Sequence, residues 1–393
     1  MSPLTYLRRH RAMRKLGKRL ERGAKAWLYR ALTKHARAGR PASPETLQGA
    51  RRILLVRPNF RIGNAVIGAR LIQALTQQRP EIELDYLGTD TTQALFVDMP
   101  LAHYHSLSRS MVLRPWRLWR LLVELRRREY DLAVQVGEGS LTSWLFVHLC
   151  GARQTMGQRG RLQTTYDWVG EASPQHAHAL ACTLATPLGL ACEPRPWLTV
   201  SHRERIAAEA VLAALSLPPA PIGIFIGGHL DKRMPLPFWQ ALLHELDARG
   251  QPHVVLLGPE EASQRRQLEH TLGAHGRLLP PMSLRAFAAV LSQLPRLVTP
   301  DTGPMHMAAA LGIPVVALLN VPGSGNFAPV GPADLVLFQP DPAEVAERLT
   351  KDTLPRACAM PRLPRVAAKA EQVAATHDHR RFVDPHAHPA GRG

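Results

Sequence analysis

Three things are scarce in this chain of 393 residues, and each scarcity removes a class of explanation. Cysteine is the first. The four present, Cys150, Cys182, Cys192 and Cys358, form no CxxC pair and have no Cys/His ligand spacing. That is the pattern of free thiols in a reducing compartment and gives no thiolate metal site. Long apolar runs are the second. None approaches the roughly 18 residues needed to cross a bilayer, and the N-terminus lacks the apolar core of a secretory signal. The sequence therefore reads as a protein made and kept in the cytosol. Acidic residues near the start are the third. Residues 1–40 hold thirteen Lys/Arg and a single acid, Glu21, so +12 of the net charge of +18 sits there. The strongly basic balance describes an appendage more than the folded body.

What is present is globular in character, with 45% hydrophobic and 20% charged residues, enough for two domains that each bury a core. Met13, Leu16, Leu20, Ala24, Trp27 and Ala31 recur at spacings of three and four, which predicts a helix with one apolar stripe in a basic surround. Such a helix fits the surface of an anionic membrane, where each basic residue contributes about 1 kcal/mol. Nucleic-acid binding, a transit peptide, or packing on the body are the competing readings, and membrane binding is preferred. A Pro/Gly-bearing linker follows. The division expected is 1–49 basic helix and linker, 50–200 first domain, 201–350 second domain, and 351–393 a disordered Pro/Ala/Arg/His-rich tail.

Strands and helical stretches alternate through the body. Strands are expected at 52–57, 83–88, 131–137, 222–226, 253–257, 296–299 and 314–319. Helices are expected at 65–78, 91–96, 116–129, 237–249, 262–272, 283–291 and 304–311, with a helical, proline-punctuated junction at 173–220. This order predicts parallel sheets covered on both faces.

Three loops follow predicted strands, and in open α/β sheets ligands bind at that edge. The loop from Thr299 to His306 (TPDTGPMH) opens a helix. Asp301 or Thr302 can cap it, Pro304 is tolerated in its first turn, and the free N–H groups of Thr302, Gly303 and Met305 suit a phosphate. The loop from Gly227 to Pro235 (GGHLDKRMP) offers two glycines for close backbone approach, and Lys232 and Arg233 to neutralise a diphosphate. The loop from Arg57 to Asn64 (RPNFRIGN) has neither GxGxxG spacing nor a GK[ST] ending, which argues against a dinucleotide oxidoreductase and an NTPase.

The stretches ILLVRPNFRIGNAVIGARLIQAL, GGHLDKRMPLPFW and PDTGPMHMAAALGIPVVAL, in this order, resemble glycosyltransferase family 9, the lipopolysaccharide heptosyltransferases, over about residues 52–345. The resemblance implies a GT-B architecture: two Rossmann-like α/β domains, acceptor-binding then donor-binding, with parallel sheets facing a central cleft. It also implies inverting transfer from a nucleoside-diphosphate sugar, typically ADP-heptose, to a lipid-linked core oligosaccharide at the inner face of the bacterial inner membrane. No metal or other cofactor is implied, because protein cations and helix N–H groups stabilise the departing diphosphate. By motif position Lys232, Thr302, Gly303 and the backbone around Pro304 would bind the phosphates. Asp301 would hold sugar hydroxyls, His306 would lie beside the loop, and Glu261, or Glu260 one residue earlier, would bind the ribose.

The family pattern breaks at one place. Where the resemblance implies an Asp general base after the loop glycine, this chain has Asn64. An amide orients a hydroxyl but accepts no proton, and base catalysis typically supplies about 10²–10⁴-fold. Asp90 and Glu138 follow predicted strands and are the candidate substitutes. Two alternatives to a sugar transferase stay open: a nucleotide-sugar epimerase on the same architecture, and an envelope-assembly partner that keeps the donor fold with weak catalysis.

Overall fold

The computed structural model describes Gly39 and residues 43–350, apart from 138–139, 161 and 171–175. The basic helix and the tail expected at the two ends lie outside the described residues, which all belong to one compact unit.

Two six-stranded sheets form the frame. The first comprises β1 (Arg52–Val56), β2 (Glu83–Thr89), β3 (His103–Leu107), β4 (Leu132–Gln135), β5 (Gln154–Gly157) and β6 (Trp168–Val169). The second comprises β7 (Ile222–Phe225), β8 (His253–Leu256), β9 (Gly276–Leu279), β10 (Leu297–Pro300), β11 (Val315–Leu319) and β12 (Leu335–Phe338). Every pairing is parallel. Their spatial orders, β3-β2-β1-β4-β5-β6 and β12-β11-β10-β7-β8-β9, are the same doubly wound order.

Successive side chains on a strand point to opposite faces, so a strand covered on both sides must be apolar throughout. β1 obeys this. Leu54 and Val56 pack with Leu87, Leu125, Ala133 and Trp144 on one face. Ile53 and Leu55 pack with Leu71, Ile72 and Val134 on the other. That second layer continues without a break into Leu256, Phe287, Leu297 and Met305 of the second half. The far face of the second sheet is closed by Trp239, Leu242 and Val345 against Ile224 and Val298.

Three expectations shift. The helix expected over 65–78 is two, Ile62–Gly68 and Arg70–Gln78. The stretch expected to be helical at 91–96 is a 3-10 turn, Gln93–Phe96, too short to close α-type bonds. The one expected at 262–272 is a 3-10 turn, Pro259–Gln264, followed by the short helix Arg265–Glu269.

Candidate active site

Strand order reverses between β1 and β4 in the first sheet and between β7 and β10 in the second. A reversal leaves a crevice at the carboxyl edge, because the connections on either side depart to opposite faces. The loops after β1, β7 and β10 are the three that the sequence singles out, and the loop after β4 joins them.

Arg57 builds the first-sheet half. Its Nε donates to the Asn64 carbonyl at 2.6 Å, and its Nη1 donates to the Val136 carbonyl, so one side chain fastens the β1 loop to the β4 loop. Gly137 sits at φ +116°, and a Cβ there would fall on the Arg57 guanidinium. Burial pulls the Arg57 pKa below its ordinary value, yet no carboxylate pairs with it among the described residues. Around it opens a cavity of about 290 Å³, whose polar lining is Arg57, Asn59, Asn64, Ser140, Ser143 and Gln158. Phe327, from the loop after β11, closes the far wall.

The second-sheet half is built on helix Gly303–Ala310. Thr302 occupies its N-cap position, but neither it nor Asp301 caps the helix as expected. The Thr302 hydroxyl turns to the Pro300 carbonyl at 3.2 Å. The buried Asp301 carboxylate is instead paired with the Lys232 ammonium. The first N–H groups of the helix thus keep no side-chain cap. Lys232 Nζ also lies 5.5 Å from the centre of the ring of Phe327, which lines the cavity.

Two glycines bring the halves together. A Cβ on Gly63 would overlap His306 Cδ2, with Nε2 at 3.2 Å, and a Cβ on Gly303 would meet Ile62 Cβ at 3.1 Å. His306 Nδ1 is 3.2 Å from His178 Nε2, and the two rings meet edge to face. Burial first, then the Lys232 charge at His306 and the His306 ring at His178, push each pKa down to about 3. Both imidazoles are neutral at physiological pH.

A family model described as glycosyltransferase family 9 (heptosyltransferase) matches residues 118–354. The chain belongs to glycosyltransferase family 9. Among solved structures, a family 9 glycosyl transferase from Veillonella parvula DSM 2008 superposes with a TM-score of 0.64 at 17% identity, covering 76% of this chain and 90% of that one. The E. coli ADP-heptose LPS heptosyltransferase II gives 0.60 at 22% identity, covering 76% and 97%. E. coli heptosyltransferase WaaC with ADP gives 0.61 at 20%, with the same coverage. These likenesses carry the fold, which is GT-B. No curated protein matches the chain in sequence.

Within this family 9 member the expected donor residues gather around the β7, β8 and β10 edges. The structure separates the two ribose candidates. Glu261 is buried, with Oε2 placed so that a Cβ on Gly258 or Gly227 would meet it at 2.6 Å or 2.9 Å. Its burial raises its pKa, opposed by Arg233, whose Nη2 is 3.5 Å from Oε1. The Glu260 side chain is 76% exposed. On the other side, Asn64 lines the cavity. Asp90 does not: it is exposed, and its Oδ1 accepts from the Thr91 N–H at 2.8 Å. Glu138 lies outside the described residues, although Gly137 and Ser140 on either side of it line the cavity. Sequence reasoning missed Arg57, Gln158, His178 and Phe327. Only Arg57 carried a signal, as a cation directly after a buried apolar strand.

Proposed function

We propose that this family 9 chain is an inverting transferase that moves a heptose from ADP-heptose to a lipid-linked core oligosaccharide of lipopolysaccharide or a related envelope glycan. It does so at the cytoplasmic face of the bacterial inner membrane. One observation carries the reading: the Lys232–Asp301 pair at the uncapped start of helix Gly303–Ala310, with Lys232 beside the Phe327 ring that lines the cavity. A diphosphate entering there takes the ammonium from Asp301 and meets the helix N–H groups and the positive end of the helix dipole. Asp301, released from Lys232, is then free to accept sugar hydroxyls. Glu261 receives the ribose, and Thr302, Gly303 and the backbone around Pro304 hold the phosphates. His306, kept neutral, offers shape and a hydrogen bond without competing for negative charge. Charge stabilisation by these groups needs no metal ion and no cofactor besides the donor. The solved relatives determined with ADP and with ADP-2-deoxy-2-fluoro heptose support a nucleotide-sugar donor. Residues 1–34, outside the described region, hold the protein on an anionic membrane surface.

A second reading rests on the cavity itself. Its lining among the described residues contains no carboxylate, so with Asn64 in the base position the protein would bind substrates and turn them over weakly. Asn64→Asp separates the two. If the amide has merely replaced a base, the carboxylate raises kcat by about 10²-fold or more. If Glu138 serves as base, Asn64→Asp changes little and Glu138→Gln abolishes transfer. The donor is tested by thermal unfolding. A nucleotide sugar at 100 times its Kd stabilises by about 2.7 kcal/mol. A shift with UDP-glucose and none with ADP-heptose sinks the heptose assignment, and loss of transfer in EDTA sinks the metal-free one.

A further inference from the structure

Helix Pro115–Arg127 is amphipathic in an unusual sense. Leu118, Leu121 and Leu125 turn inward to the core below the first sheet. The outward face is not the usual charged and polar mixture. Trp116 and Trp119 stand 56% and 62% exposed, and Arg120, Val123 and Arg127 continue the same stripe at helical spacing. Arg114, Arg117, Arg120 and Arg127 are all exposed and form no ion pair among the described residues. The one acid on the helix, Glu124, is held by His105 Nδ1 at 2.9 Å.

The helix is rigidly mounted. Arg128, at its end, pairs with Glu83 and donates to the buried Asp85 at 3.1 Å. Tyr130 donates to the same carboxylate at 2.6 Å. Burial pushes the Asp85 carboxyl up, but the hydrogen bonds from His105 and Tyr130 and the Arg128 charge outweigh it and hold the group ionised. Glu83 opens β2, so the arginine end of the helix lies at the amino edge of the sheet. The tryptophan end therefore lies at the carboxyl edge, the edge that carries the cavity. A direct contact joins the two places: Arg109, just before the helix, lies 4.7 Å over the ring of Phe60 in the loop that supplies Arg57, Asn59 and Asn64.

We infer that this helix is a lipid-contacting surface, which seats Trp116 and Trp119 in the headgroup region of an anionic bilayer with the arginines on its phosphates. Exposed indole rings beside arginines of one sign fit that interface, where the ring is half wet and the cation is neutralised. A groove of about 510 Å³ between Trp119, Arg120, Val123, Glu124, Arg127 and Arg128 is open to a headgroup. The chain's own ends are poor occupants. Residues 1–40 carry net +12, and residues 351–393 hold eight Lys/Arg against four Asp/Glu, so both repel this face. Because the tryptophan end and the cavity share an edge, bilayer contact here turns the cavity mouth towards a lipid-borne acceptor. Only that last consequence rests on the transferase reading.

The test uses the full chain with vesicles of phosphatidylcholine alone, phosphatidylcholine with phosphatidylglycerol, and the latter with brominated acyl chains. Trp116→Ser with Trp119→Ser, and Arg117→Gln with Arg120→Gln, alter exposed side chains and leave Tm unchanged. Each arginine near an anionic leaflet contributes about 1 kcal/mol, so the double glutamine variant binds anionic vesicles roughly 30-fold less tightly and neutral vesicles no differently. The double serine variant loses the bromolipid quenching that these two indoles provide. Wild-type vesicle affinity and quenching in both variants overturn the inference and leave the contact to residues 1–40. So does a wild-type dimer that the serine variant dissociates without loss of vesicle binding, which makes the face a protein interface. No sugar or acceptor enters the vesicle-binding and quenching measurements, so their failure is separate from failure of the transferase reading, on which only the transfer assay depends. Transfer to a water-soluble acceptor stays at the wild-type rate in both variants, while transfer to a vesicle-embedded one falls.

Discussion

Adding one methyl group at Gly63 tests whether the contact between the two halves sets the catalytic geometry. The Cβ of Gly63→Ala lands on the imidazole of His306, its nearest approach roughly 1 Å inside ordinary van der Waals contact. His306 cannot swing aside freely, being 5% exposed and bonded to His178. The helices Ile62–Gly68 and Gly303–Ala310 must therefore part by about that distance, and overpacking of this kind costs about 1–3 kcal/mol. The better helix propensity of alanine returns up to about 1 kcal/mol, so the net loss of stability is modest. The loss of function is not, because a misplacement of about 1 Å between reacting groups costs about 10²-fold. Gly325→Ala is the control, since a Cβ there meets nothing within 4 Å. Calorimetry and transfer kinetics on both variants decide the matter. If Gly63→Ala turns over like Gly325→Ala, the helices do not need their close approach and this contact does not set the catalytic geometry.

Lys232→Met should lower kcat/KM by about 10²–10³-fold, as removal of a charge-stabilising group does. It should also lower Tm by stranding the Asp301 carboxylate, whereas Lys232→Met with Asp301→Asn recovers the Tm and not the activity. The neutral His178 and His306, with folded pKa values of about 3, give stability that is complete above the unfolded value near 6.5 and is lost as pH falls below it. By about pH 5.5 each costs on the order of 1 kcal/mol relative to neutral pH, the hydrogen-bonded pair less than double. An unchanged slope of stability against pH in His178→Asn refutes that assignment. Arg285 pairs with Asp98 and Glu204 and donates to the Thr199 carbonyl at 2.9 Å, joining three distant segments. Arg285→Ala should cost about 1–3 kcal/mol in urea unfolding. The Arg285 hydrogen bond, acting against burial, pulls the Glu204 pKa down to about 2. Its share of stability is thus present above the ordinary Glu value and lost as pH falls towards 2, a loss that Arg285→Ala should blunt.

Legibility in the sequence followed burial. β1 (RILLV) and β4 (LAVQ) are central and covered on both faces, so their apolar runs declare them. β3 (HYHSL), β6 (WV) and β12 (LVLF) sit at or next to an open side of a sheet, and β5 (QTMG) carries polar residues outward. None of these has the pattern that full cover imposes, and none was foreseen. Helix Leu141–Leu149 was missed for the opposite reason: LTSWLFVHL is apolar on most of its circumference and has no stripe to read. Lys232 and Asp301 stand out in the sequence as candidates because each sits in a short loop with its own pattern of glycines and helix-start residues. Their mutual pairing was not legible, nor were His178 against His306 or Phe327 against the cavity, since those contacts join loops that only the folded sheets bring together.

One detail at Asn64 bears on how such a protein evolves. Arg57 grips residue 64 through its main-chain carbonyl, so the architecture of the loop is indifferent to what side chain that residue carries. The position behaves as a socket. A carboxylate or an amide can be fitted without loosening Arg57 or the β4 loop, so on the proposed reading of residue 64 the gain or loss of proton transfer is one codon change that leaves the scaffold intact. On that reading a lineage passes between turning substrate over and merely retaining it while the fold records almost nothing of the change.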